Sequence, residues 1–102
     1  MASTIDELTI NYFEDGLQTV KELDKIILTR GAWTTILYKY QDWDKAKNAY
    51  SPNRFSLRRY QKRNNEYKQQ SKFNISSADQ AQKIIAALQQ WDAEDPTAGQ
   101  ED

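Results

Sequence analysis

The sequence predicts an α+β fold, a curved antiparallel β-sheet of four to five strands followed by one C-terminal amphipathic helix. Short segments rich in Val, Ile, Thr, Tyr, Phe and Trp are separated by turn signals such as Asp15-Gly16 and Asn64-Asn65. From Ala81 to Trp91 the apolar residues recur instead at three- and four-residue steps. A chain of 102 residues has the size of a single domain.

Taken in order, Leu8 to Phe13 reads as a short strand running into the hairpin turn at Asp15-Gly16. In residues 17–28, Val20, Leu23 and Ile27 fit a helix whereas Ile26 to Thr29 read as strand; strand is the preferred reading and helix the alternative. Arg30-Gly31 supplies the next turn. Trp33 to Trp43 is the longest strand candidate, and because both of its faces are partly apolar it belongs at the centre of the sheet. Asp44 to Asn53 has no periodicity and reads as a loop. Arg54 to Lys62 alternates, with Phe55, Leu57 and Arg59 on one side and Arg54, Ser56, Arg58, Tyr60 and Lys62 on the other. After a turn at residues 63–66, Tyr67, Ser71, Phe73 and Ile75 share one face and Lys68, Gln70, Lys72 and Asn74 the opposite one. Ser77 and Gln80 form a capping-box signature that starts a helix over 78–91, whose stripe of Ala81, Ile84, Ile85, Leu88 and Trp91 is expected to cover Phe55, Leu57, Phe73 and Ile75. The first few residues and the run after Trp91 are poor in large apolar side chains, so both ends are expected to be unstructured. The expected organisation is one domain over 1–91 and an unstructured acidic tail over 92–102.

Composition narrows the function. The chain has no Cys and no His, which removes disulfides, thiolate metal sites, the commonest general base and the commonest metal ligand. No nucleophile–base pair or ligand cluster is visible, so neither an enzyme nor a cofactor, metal site or small-molecule substrate is expected; Asp42 and Asp44 alone do not make a metal site. No apolar run approaches the ~20 residues that span a bilayer, and a cytoplasmic or nucleoid-associated protein is expected, with no membrane partner. Hydrophobic residues are 38% of the chain and mean hydropathy is −0.94, a shortage of core that dimerisation would relieve.

The net charge of −1 conceals a strong sorting. Residues 1–29 carry six acids and two bases, residues 30–72 eleven bases and three acids, residues 73–91 one of each, and residues 92–102 five acids. Between Arg54 and Lys72 there are seven bases and one acid. A solvated face must be polar, and Lys on an edge strand discourages aggregation, but such a face ordinarily mixes both signs. The bias points to single-stranded nucleic acid. Arg54, Arg58, Lys62, Arg63, Lys68 and Lys72 would neutralise phosphates and Tyr60 would stack a base, with Lys39 and Tyr40 of the preceding strand extending the set. Trp33, Trp43 and Trp91 read as core or dimer contacts.

Phe55-Ser56-Leu57-Arg58-Arg59-Tyr60, followed by a basic strand and by Phe73-Asn74-Ile75-Ser76-Ser77 leading into an amphipathic helix ending in Trp, resembles the positive cofactor four family of single-stranded DNA-binding transcriptional coactivators and the related Whirly proteins. The resemblance covers roughly residues 20–91. It implies a four-stranded antiparallel sheet followed by one helix, a homodimer formed through the helices, and single strands of DNA or RNA held by basic and aromatic residues on the sheets. The chain differs from that pattern in its N-terminal hairpin, in the longer segment 44–53 and in lacking a Pro-Gly turn before the last strand. The expected function is therefore single-stranded nucleic-acid binding. The alternative is a protein-interaction module whose basic face docks an acidic partner.

Overall fold

Strands β1 (Tyr12–Glu14), β2 (Leu17–Thr29), β3 (Trp33–Asp44), β4 (Ala49–Tyr50), β5 (Arg54–Arg63) and β6 (Glu66–Ile75) precede a single helix, α1 (Ala78–Glu94), in a computed structural model that describes residues 2–94. The strands form one curled antiparallel sheet in the order β1-β2-β3-β5-β6, with β4 paired only to β3. This is the predicted α+β layout. Residues 17–29 are strand throughout and from Val20 onward pair with β3, which lies at the centre as its two apolar faces require. The two tight hairpins turn where expected: Asp15 and Gly16 have φ of 48° and 82°, and Asn64 and Asn65 have φ of 52° and 63°. Positive φ at both central positions matches the right-handed twist of the strands, and Asn, Asp and Gly tolerate it best.

Register assigns every side chain to a face. Ile36, Tyr38 and Tyr40 of β3 lie beside Ile27, Lys25 and Glu22 of β2 and beside Arg58, Ser56 and Arg54 of β5. On the other face Leu37 lies between Ile26 and Leu57. The core sits on the first of these faces. Ile36 and Tyr38 are fully buried there, with Tyr40, Tyr60 and Tyr67 nearly so, beneath Leu8 and Ile10.

The cover is the N-terminal segment, and this overturns the expectation that the first residues are unstructured. Residues 2–11 form a strap across the tyrosine face, containing a 3-10 turn at Ile5–Glu7. The Glu7 carboxylate accepts from the Ser3 and Thr4 backbone N–H groups and hydroxyls at 3.0–3.1 Å, and these bonds hold it below the usual carboxylate range. The strand expected over Leu8 to Phe13 is confined to Tyr12–Glu14, because Leu8 and Ile10 are spent on burial rather than on pairing.

Helix α1 begins as predicted, with the Gln80 N–H donating to Ser77 Oγ at 3.1 Å, while the Gln80 side chain accepts from the Ser76 N–H and not from Ser77. It runs to Glu94, three residues past the expected end, so Asp92, Ala93 and Glu94 of the predicted tail are helical. The remainder of that tail, residues 95–102, lies outside the described residues. The helix lies along Leu37, Phe55, Leu57 and Ile75 but does not close on them. No α1 residue is buried, and a cleft of about 390 Å³ separates its apolar stripe from the sheet. Phe73, Trp33 and Trp91 are 53, 41 and 63% exposed, so neither Trp33 nor Trp91 is a core residue.

Two smaller differences have local causes. The expected loop 44–53 contains β4, because the Trp43 and Tyr50 rings meet edge to face at 5.1 Å and the Ser51 N–H donates to Asp42 O at 2.8 Å. Tyr67 and Phe73 do not share a face. Arg59 pairs with Ser71 and Tyr60 with Gln69, so Gln70 is an extra residue in β6, and this bulge inverts the alternation between the two ends of the strand.

Candidate nucleic-acid interface

Strand alternation, and for Lys68 the bulge, divide the sequence-predicted site residues between the two faces. Arg54, Arg58, Tyr60, Lys62, Lys72 and Tyr40 belong to the strap face, whereas Lys39, Arg63 and Lys68 belong to the helix face. The predicted set is therefore not one surface. Tyr60 and Tyr40 cannot stack a base as they stand, because both rings are buried under the strap. Burial raises the pKa of both, and of Tyr38 most of all; the Tyr38 and Tyr60 hydroxyls bond each other at 3.0 Å, which gives each buried hydroxyl a partner.

The remaining strap-face cations form a row along the outer hairpin. Arg58 and Lys72 are direct cross-strand partners. Side chains so placed have Cβ atoms about 5 Å apart, and like charges there are destabilising. Arg58 is oriented by polar, uncharged neighbours: its Nε donates to Ser56 Oγ at 3.2 Å and its Nη1 to Gln69 Oε1 at 3.1 Å. Ser56 is fixed in turn by donating to Asn74 Oδ1 at 2.7 Å. Lys62 sits at the far end of the row, 5.5 Å from the centre of the Tyr67 ring. Among the described residues, Arg54 is the one hairpin cation with a carboxylate within 4.0 Å, Asp42 at 3.6 Å. Asp44 accepts from the Ala46 and Lys47 N–H groups. Both acids that might have suggested a metal site thus have local structural work.

Sequence reasoning missed two features. Arg59 stacks on Trp33 on the helix face, 4.2 Å from the ring centre, a cross-strand contact that neither residue signals alone. Lys25, opposite Tyr38 in the register of β2 and β3, donates to strap carbonyls, a contact that nothing in the sequence signals.

Comparison of the chain with protein-family models, with curated proteins and with solved structures finds no match in any of the three.

Proposed function

We propose that this protein binds single-stranded nucleic acid through the cation row Arg58, Lys72 and Lys62 on the β5–β6 hairpin. The observation that carries the reading is the Arg58–Lys72 pair. Two like charges placed side by side without a carboxylate cost stability, and a phosphate between them would turn that cost into binding energy. An open sheet suits a single strand better than a duplex, because α1, the one α-helix among the described residues, carries a single base, Lys83, and that is paired with Asp79 at 3.2 Å. Titration of labelled single-stranded and duplex oligonucleotides by fluorescence anisotropy tests this. Binding to the single strand tighter than to the duplex is expected. No binding to either below about 100 μM, weaker than typical non-specific affinity, favours an acidic protein partner.

The helix face favours a second copy of this chain. Ile26, Leu28, Phe73, Ile85, Leu88 and Trp91 are 45–63% exposed. Together they present on the order of 600 Å² of apolar surface, most of the ~800 Å² that each partner contributes to a stable interface. The molecule is only 17 Å thick and its radius of gyration is 15.9 Å, against about 13 Å for a compact chain of this length. Both dimensions fit a half-built sandwich. Sedimentation equilibrium should return twice the 11.9 kDa chain mass, and Leu88→Asp should return it to one; a wild-type monomer at 100 μM contradicts the dimer.

A further inference from the structure

The segment over the tyrosine face is attached as a bound peptide would be. Among the described residues the one bond joining its backbone to the backbone of the sheet is from the Tyr67 N–H to Ala2 O, 2.9 Å, at one end, while at the other the Glu22 N–H donates to the Asn11 side chain at 2.7 Å. At the other end it is gripped by side chains. The Lys25 ammonium donates to the carbonyls of Leu8, Asp6 and Ile5 at 2.7, 3.1 and 3.4 Å, and Glu22 accepts from the Thr9 hydroxyl and the Ile10 N–H at 2.7 and 3.3 Å. Of its side chains Leu8 and Ile10 are buried, with Ala2 and Ile5 packed half-buried against the same core.

What lies underneath is an unusual interior. Four of the eight buried hydrophobic residues are tyrosines, and all four belong to this one face. A permanent core is ordinarily built from aliphatic residues, whereas tyrosine offers a flat ring for stacking and a hydroxyl that tolerates water. Arg58 and Lys72 lie beside these rings on the same side of the sheet, and Lys62 over one of them. Bases on the rings and phosphates on the cations would be served by one continuous surface, which at present the strap occupies.

We propose that residues 2–11 are a displaceable strap, and that the tyrosine face beneath them is a concealed stacking surface for single-stranded nucleic acid. This rests on the reading of the hairpin as a single-strand binder and extends it from phosphate contacts to base contacts. The strap and the strand compete for one face. When the open form is a tenth of the population or less, the closed strap weakens apparent affinity about tenfold or more.

The test uses the full chain and an oligo-dT probe. Lys25→Met removes the ammonium that holds three strap carbonyls while retaining an apolar stem. It should tighten oligo-dT binding about tenfold although it removes a positive charge, because the open form becomes populated. Weaker binding, as simple loss of a cation would give, overturns the proposal. Should Lys25→Met fail to fold, hydrogen exchange on the wild-type chain decides: with saturating oligo-dT the Leu8 and Ile10 amides should lose protection while β5 amides keep theirs, and unchanged strap protection overturns the proposal. The two readings fail differently. If neither protein binds oligo-dT, the hairpin reading falls and the strap proposal with it. If the wild type binds with its strap amides still protected, the strap proposal falls alone.

Discussion

Tyr38→Ala is expected to lose about 3–5 kcal/mol of stability, enough to unfold much of the population of a chain whose total stability is of the order of 5–15 kcal/mol. Tyr38 is fully buried at the centre of the sheet, between Lys25 and Ser56 on the neighbouring strands and beneath the strap. Truncation leaves a cavity under Leu8 and Ile10 and strands the hydroxyl of Tyr60, which has lost its 3.0 Å partner. Tyr38→Phe separates these effects. It keeps the ring, so its cost is the unpaired Tyr60 hydroxyl alone, about 1–3 kcal/mol. Urea denaturation of the three proteins checks the ranking. A stable Tyr38→Ala would mean that the core lies on the helix face.

Lys72→Glu is expected to move stability and binding in opposite directions. It replaces the like-charged pair at Arg58 and Lys72 by an attractive one, which should raise stability by about 0.2–1 kcal/mol. It also reverses one charge of the phosphate-binding row, and single-strand affinity should fall about tenfold to a hundredfold, which is about 1.4–2.8 kcal/mol. Thermal melting and anisotropy on the same samples read the two effects. A fall in both would mark Lys72 as a structural residue. Lys68→Glu is the internal comparison. The bulge places Lys68 on the helix face beside Gln61, so this substitution should leave binding by the row largely intact.

The elements of this fold were legible because their signals are local. Asp15-Gly16 and Asn64-Asn65 mark the hairpins, alternation in Arg54 to Lys62 marks a two-faced strand, and Ser77 marks the helix start. Which face holds the core was not legible. Along β3 one set of alternate positions reads Thr34, Ile36, Tyr38, Tyr40 and the other Trp33, Thr35, Leu37, Lys39, so both faces can be buried and the pattern does not rank them. The cover that decides the matter has only two fully inserted side chains, Leu8 and Ile10, and is secured by Lys25 through backbone carbonyls, a contact without a sequence period. The candidate site was half legible for a related reason. Alternation correctly grouped Arg58 with Lys62 and, across the hairpin, with Lys72, but the extra residue at Gln70 sent Lys68 to the opposite side and carried Tyr67 inward.

The salt dependence of oligo-dT binding tests the cation row most directly. Each phosphate neutralised on a single strand contributes about −0.7 to the slope of log K against log salt, so Arg58, Lys62 and Lys72 together predict a slope of about −2, and Lys72→Glu a shallower one by about 0.7 or more. A slope near zero, or one that Lys72→Glu leaves unchanged, would contradict the assignment of this row to phosphate binding.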